Sequence, residues 1–183
     1  MNNCWKTVNI SREIGQGRIY IMSSFMALLA FILLFLPYSI YHHNVLIKDH
    51  GLLPLIITLL TLPLVHKLTH VIPLILCYRR IKVHLHLTMG FIPTLTCKLR
   101  SFLSKKTTMF MWLGPTLFLT IPGIVAAIVL PSYYPYILLY TAINIGLSFK
   151  DFVYIKQIVN APKKCLIEEA KDGYDILIKN STH

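Results

Sequence analysis

Acidic residues are scarce in this chain: seven Asp and Glu stand against 18 Lys and Arg, and charged residues together make up only 14%. A water-soluble domain carries about 25%, so the composition excludes an ordinary water-facing surface. Cysteine is sparse as well. The four that occur, Cys4, Cys77, Cys97 and Cys165, form no Cys-x-x-Cys pair, which argues against a thiolate zinc site or a redox couple. No internal repeat or low-complexity run is present. What the chain has in abundance is apolar side chains, 55% of all residues.

Those apolar residues gather into four stretches, each long enough to cross a bilayer as a helix of about 20 residues. They run from about Ile19 to Tyr41, Leu52 to Tyr78, Phe110 to Leu130 and Tyr134 to Val159. Prolines 37, 54, 63, 73, 115 and 122 interrupt them, which membrane helices tolerate when neighbouring groups re-satisfy the freed carbonyls. The first stretch is too long for a cleavable signal, and no small-residue cleavage site follows it, so it reads as a retained span.

Basic residues then orient the spans. Lys6, Arg12 and Arg18 precede the first; Lys48 alone falls in the first loop, and none falls between the third and fourth. The middle loop carries Arg79, Arg80, Lys82, Lys98, Arg100, Lys105 and Lys106, and the tail adds Lys163, Lys164, Lys171 and Lys179. Positive residues favour the cytoplasmic side. The expectation is therefore an all-α integral membrane protein of four spans, a single membrane domain over residues 1–183 with both termini cytoplasmic, a basic loop at 79–109 and a tail at 160–183. The formal charge of +11 is explained by topology and anionic lipid headgroups, and nucleic acid is not an expected partner. The bilayer is, together with a membrane protein or peptide.

Two short segments depart from helix. IKVHLHL (Ile81 to Leu87) alternates with period two, and Met89-Gly90 offers a turn before FIPTLTC (Phe91 to Cys97). In the tail, CLIEEA and DILI flank an Asp172-Gly173 turn. Small β-hairpins at the cytoplasmic face are expected from both. His84 and His86 alternate on one strand face and read as hairpin surface. His42, His43, Asp49 and His50 lack firm ligand spacing and read as an interfacial polar loop. SYYPY (Ser132 to Tyr136) and Trp5 read as interfacial anchors.

Ionisable groups within spans are costly and point to function. Here they are His66, Lys67 and His70 in the second span and Lys150 and Asp151 in the fourth, with the polar Asn144 nearby. The stretch VHKLTHV (Val65 to Val71) puts two imidazoles four residues apart, on one helix face, as in the His-Glu-x-x-His zinc motif, but a lysine replaces the glutamate. The second and fourth spans both enter from outside, at Leu52 and Tyr134. At about 1.5 Å per residue, His70 and Asp151 fall at nearly the same depth. Two imidazoles and a carboxylate at one level make a three-ligand zinc site. Asn144 lies two turns before Asp151 on the same face, placed to support it. A plain polar contact between helices, or pairing of Asp151 with Lys150, Lys67 or Arg80, accounts for the same residues without a metal.

The order of these parts resembles the site-two class of intramembrane zinc metalloproteases. More closely, it resembles a bacterial family of small four-span membrane proteins described as zincin peptidases. VHKLTHVIPL stands where that family has its His-Glu-x-x-His helix, with Gly114-Pro115-Thr116 and NIGLSFKD (Asn144 to Asp151) following. The resemblance implies zinc held by His66, His70 and Asp151. The glutamate of such sites takes a proton from metal-bound water, and Lys67 as an ammonium cannot. The expectation is a zincin-like protein whose proteolytic base is lost, binding Zn²⁺ without cutting. Two alternatives stand beside it: an active metalloprotease in which Lys67 or another group handles the proton, and a metal-free scaffold or accessory protein with a buried polar network.

Overall fold

The computed structural model describes residues 2–42, 44–48, 51–77, 82–88, 92–98, 102–163, 165–170 and 173–179. A strand, β1 (Asn2–Val8), leads into a short helix, α1 (Ile10–Ile14), capped by the Asn9 side chain, which accepts from the Arg12 amide at 2.9 Å. Two long helices follow, α2 (Gln16–Tyr41) and α3 (Leu52–Cys77). The hairpin β2 (Lys82–Thr88) and β3 (Ile92–Lys98) comes next, then the two-residue strand β4 (Leu103–Ser104). A third long helical stretch begins as α4 (Lys105–Pro115), widens into a π-helical turn (Thr116–Thr120), and resumes as α5 (Ile121–Val129). Finally α6 (Tyr134–Leu147) and α7 (Phe149–Val159) precede β5 (Cys165–Ala170) and β6 (Gly173–Lys179).

The chain is mostly helical, and three helical stretches are long and apolar enough to cross a membrane: Gln16–Tyr41, Leu52–Leu76 and Lys105–Val129. They match the first three expected spans, although the third starts earlier than Phe110. The fourth, Tyr134 to Val159, is divided. Ser148 sits in a turn between α6 and α7, where its Oγ donates back to the Asn144 carbonyl at 3.0 Å. Such back-bonding competes with the helical ladder and bends it.

The expected β-hairpin element is present and is larger than expected: the described residues build two antiparallel sheets. One is the expected hairpin, with Lys82 opposite Lys98 and Thr88 opposite Ile92; its Met89-Gly90 turn lies outside the described residues. The other has four strands in the order β1-β6-β5-β4. The expected tail hairpin forms its centre, with Ala170 opposite Gly173, while Asp172 lies outside the described residues. The N-terminal strand was not expected. It pairs along β6, Val8 opposite Tyr174, and so joins the two ends of the chain. Gly173 is needed there, because a Cβ would run into the Val8 carbonyl. The inner face of this sheet brings Val8, Cys165 and Ile176 into a core with Ile10, Ile19 and Tyr154.

Close approach of the helices depends on small residues, as is common where backbones must meet. A Cβ on Gly146 of α6 would lie 2.6 Å from Ala27 Cβ and 2.7 Å from the Ser23 carbonyl on α2. One on Gly114 of α4 would collide with the Thr69 carbonyl of α3. The second contact matters for function, since Thr69 stands beside His70.

Candidate metal centre

α3 turns once between His66 and His70, so the two rings stand on one face, 5.2 Å apart and close to perpendicular. Asp151 lies in the first turn of α7, where the helix dipole favours a carboxylate. Its Oδ2 is 3.2 Å from His66 Nε2 and 3.4 Å from His70 Nε2. The three candidate ligand atoms all fall within 4.8 Å of one another. Asp151 is 4% exposed and His66 7%, while His70 is half-buried.

The far side of each ring decides what the near side can do. His70 Nδ1 lies 2.9 Å from the Met111 carbonyl on α4. A carbonyl only accepts, so Nδ1 carries the proton. His66 Nδ1 lies 2.9 Å from Asn144 Oδ1. The amide nitrogen of Asn144 donates to the Pro115 carbonyl at 3.3 Å and to Thr120 Oγ1 at 3.0 Å, which fixes its oxygen toward His66 and makes that Nδ1 a donor too. In a neutral imidazole one nitrogen donates and the other accepts. In the neutral rings both Nε2 atoms therefore offer lone pairs, and they face the buried Asp151 Oδ2, which accepts no hydrogen bond from a described residue. Three acceptors converging in a dry site repel one another unless a cation lies between them. The donor set, two imidazoles and a carboxylate with each imidazole fixed through its other nitrogen, is one that zinc takes.

The π-helical turn contributes to this arrangement. Pro115 has no N–H to continue the ladder, and the ladder resumes with Ile121 donating to the Thr116 carbonyl. The widened turn leaves the Pro115 carbonyl and Thr120 hydroxyl together, facing Asn144. Such turns are frequent at functional sites.

Each residue singled out in the sequence can now be placed. His66, His70 and Asp151 come together, and Asn144 supports His66 although the helix breaks between Asn144 and Asp151. Asp151 stands against the histidines and not against Lys150, whose Nζ lies 5.8 Å from the centre of the Tyr154 ring; Arg80 lies outside the described residues. Lys67 is half-buried and forms no hydrogen bond or ion pair with any described residue. His43, Asp49 and His50 of the polar loop fall outside the described residues, while His42 stacks on Tyr38. Among the described residues, His66, His70 and Asp151 form the only cluster of three potential metal ligands.

Other contributors were not foreseen. The Pro115 carbonyl is a backbone group with no sequence signature, whereas the Met111 carbonyl is freed by Pro115, which lacks the N–H that would bond it four residues on. Thr120 had one available, its spacing of four from Thr116 in the Gly-Pro-Thr segment. Trp112 packs edge-to-face on His70 with centroids 5.1 Å apart and stacks on Tyr154 at 4.6 Å. Tyr174 of β6 meets both Trp112 and Tyr154, so aromatic contacts run from the sheet to the site.

No curated protein and no solved structure matches the chain. The family described as "Putative zincin peptidase" matches residues 59–166, a span that takes in both histidines, the Gly-Pro-Thr segment, Asn144 and Asp151. That match covers more than half of the chain, and the protein belongs to this zincin peptidase family.

Proposed function

We propose that this is an integral membrane zincin-like protein that binds zinc through His66 Nε2, His70 Nε2 and the Asp151 carboxylate and lacks the proteolytic base. The observation that carries the reading is the convergence of three acceptors, those of His66 and Asp151 buried and that of His70 half-buried, with both Nδ1 atoms committed as donors elsewhere. Bound there, zinc would supply Lewis acidity and make a bound water more acidic. The chain's own residues hold the ligands: Asn144 orients His66, Met111 orients His70, and burial excludes solvent. Lys67 stands where the family's motif has its glutamate. As an ammonium it accepts no proton, so the site binds without hydrolysing.

Four membrane crossings are part of the proposal: α2, α3, α4 through α5, and α6 with α7. In support, α2 exposes Tyr20, Ile21, Phe25, Leu28, Leu33 and Ile40, an apolar face far too large for water and suited to lipid. The excess of basic residues in the middle loop and at both ends supports an orientation with both termini and the β-strands at the cytoplasmic surface, against anionic headgroups. Metal analysis of the purified protein tests the central claim. About one zinc per chain is expected, with loss in His66→Ala and Asp151→Ala. Equal, negligible zinc in all three would sink the reading.

A further inference from the structure

We propose that the site of this chain binds a phosphate-type oxyanion, held jointly by the metal and Lys67; this rests on the zinc reading above. Two neutral imidazoles and one carboxylate leave a divalent ion with one positive charge in excess. A glutamate at position 67 cancels that excess. Lys67 instead doubles it. On a helix of 3.6 residues per turn, Lys67 stands about 80° around from the midline of His66 and His70, on the flank of the site. Its four-carbon stem is long enough for the ammonium to reach a ligand on the metal. No acidic partner neutralises it among the described residues.

A second unpaired donor lies next to His70. The Trp112 indole Nε1 is buried with no acceptor among the described residues, and its ring is the one packed edge-to-face on His70. Buried donors are ordinarily satisfied. A divalent ion, an ammonium and an N–H donor, with His66, His70 and Asp151 given to the metal, select a ligand that brings several anionic oxygens. Phosphate does so, either free or on a lipid headgroup.

The test uses the full chain in detergent, loaded with Co²⁺ as a spectroscopic substitute for zinc. Inorganic phosphate is titrated in one arm, and mixed micelles containing phosphatidic acid in the other. In wild type, one or both should shift the cobalt absorption bands. Response to phosphatidic acid alone identifies a lipid-borne ligand; response to inorganic phosphate shows that the headgroup chemistry suffices. Lys67→Gln should weaken the phosphate response on the order of tenfold, the effect of one partly screened charge. The same variant should bind cobalt more tightly, because a neighbouring cation is gone. Those opposite shifts separate the proposal from simple damage, which weakens both. Equal phosphate midpoints in cobalt-loaded wild type and Lys67→Gln would overturn the oxyanion site and leave the metal reading standing. A wild-type chain that takes up no cobalt would overturn both.

Discussion

Asn144 offers a measurement that separates a metal-orienting role from a purely structural one. It is fully buried, and its amide spans three elements: it donates to Pro115 and Thr120 and accepts from His66. Asn144→Ala leaves the His66 Nδ1–H without an acceptor in a dry site, which costs about 1–3 kcal/mol, and opens a small cavity besides. A total loss of roughly 2–4 kcal/mol is expected in an unfolding experiment. Zinc affinity should fall about 10- to 100-fold, the usual effect of removing the group that orients a ligating histidine. Asn144→Asp divides the two effects. Its carboxylate still accepts from His66 Nδ1 and raises the basicity of the ring, so zinc affinity should return to within about tenfold of wild type. Its oxygens also face the Pro115 carbonyl with no proton to offer, so the stability loss should persist. Zinc competition against a chromophoric chelator and thermal unfolding in the same detergent give both numbers. If the alanine variant unfolds early yet binds zinc as tightly as wild type, Asn144 holds only the fold, and the orientation argument fails.

Three further outcomes follow from the geometry. Gly114→Ala should cost about 1–3 kcal/mol by forcing α4 away from α3 and should weaken zinc binding through the Met111–His70 bond. Gly17→Ala, with nothing within 4 Å of its added Cβ, should be neutral or stabilising by up to about 1 kcal/mol, and equal unfolding midpoints for the two would refute the close-approach argument. Lys67→Glu restores the family's base, so cleavage of a membrane peptide should appear in that variant and be absent in wild type; robust wild-type cleavage abolished by His70→Ala would show the enzyme to be active as it stands. Burial pushes the Cys165 thiol up from its ordinary range, against a smaller opposing pull from Lys105, so folding disfavours the thiolate. Stability should then fall as pH rises above about 8.5, the unfolded thiol value, and Cys165→Ala should flatten that slope; an unchanged slope would remove Cys165 as its cause.

Helices and hairpins were legible because their signals are local. The long apolar runs stand out against basic loops, and the alternation in IKVHLHL and the tail needs no partner to be seen. The cluster of His66, His70 and Asp151 was legible for a related reason: spans of an expected direction convert sequence position into depth, which put His70 and Asp151 at one level. What stayed hidden depends on partners distant in the chain or on backbone groups. β1 is a strand because β6 offers it an edge from the opposite end of the chain, and NNCWKTV carries little pattern of its own. The break falls at Ser148, whose hydroxyl returns to the Asn144 carbonyl, and a serine in an apolar helical run gives no signal of it. The acceptors for His70 Nδ1 and the Asn144 amide include main-chain carbonyls on α4, which any residue type would supply.

The contact of Asp151 with two imidazoles also bears on the metal-free alternative. Without a metal, a proton must serve as the cation between the acceptors. The Met111 carbonyl can only accept, so His70 keeps its Nδ1 proton and can donate from Nε2 only as an imidazolium. The same holds for His66, whose Nδ1 faces an amide oxygen fixed by two bonds of its own. A metal-free network therefore requires either a charged histidine paired with Asp151 in a buried site, an arrangement whose desolvation cost can exceed its attraction, or a protonated Asp151 that donates to one Nε2 and leaves the other facing an acceptor. Zinc meets the same need with both rings neutral. Nitrogen NMR of ¹⁵N-histidine-labelled protein distinguishes the states, since a metal-bound neutral ring and a doubly protonated ring give different Nε2 shifts. Neutral, Nδ1-protonated rings with metal-shifted Nε2 resonances are expected in the purified protein, and chelation should convert at least one ring to the doubly protonated form. Doubly protonated rings in protein that had never seen a chelator, unchanged by added zinc, would favour the scaffold over the metal centre.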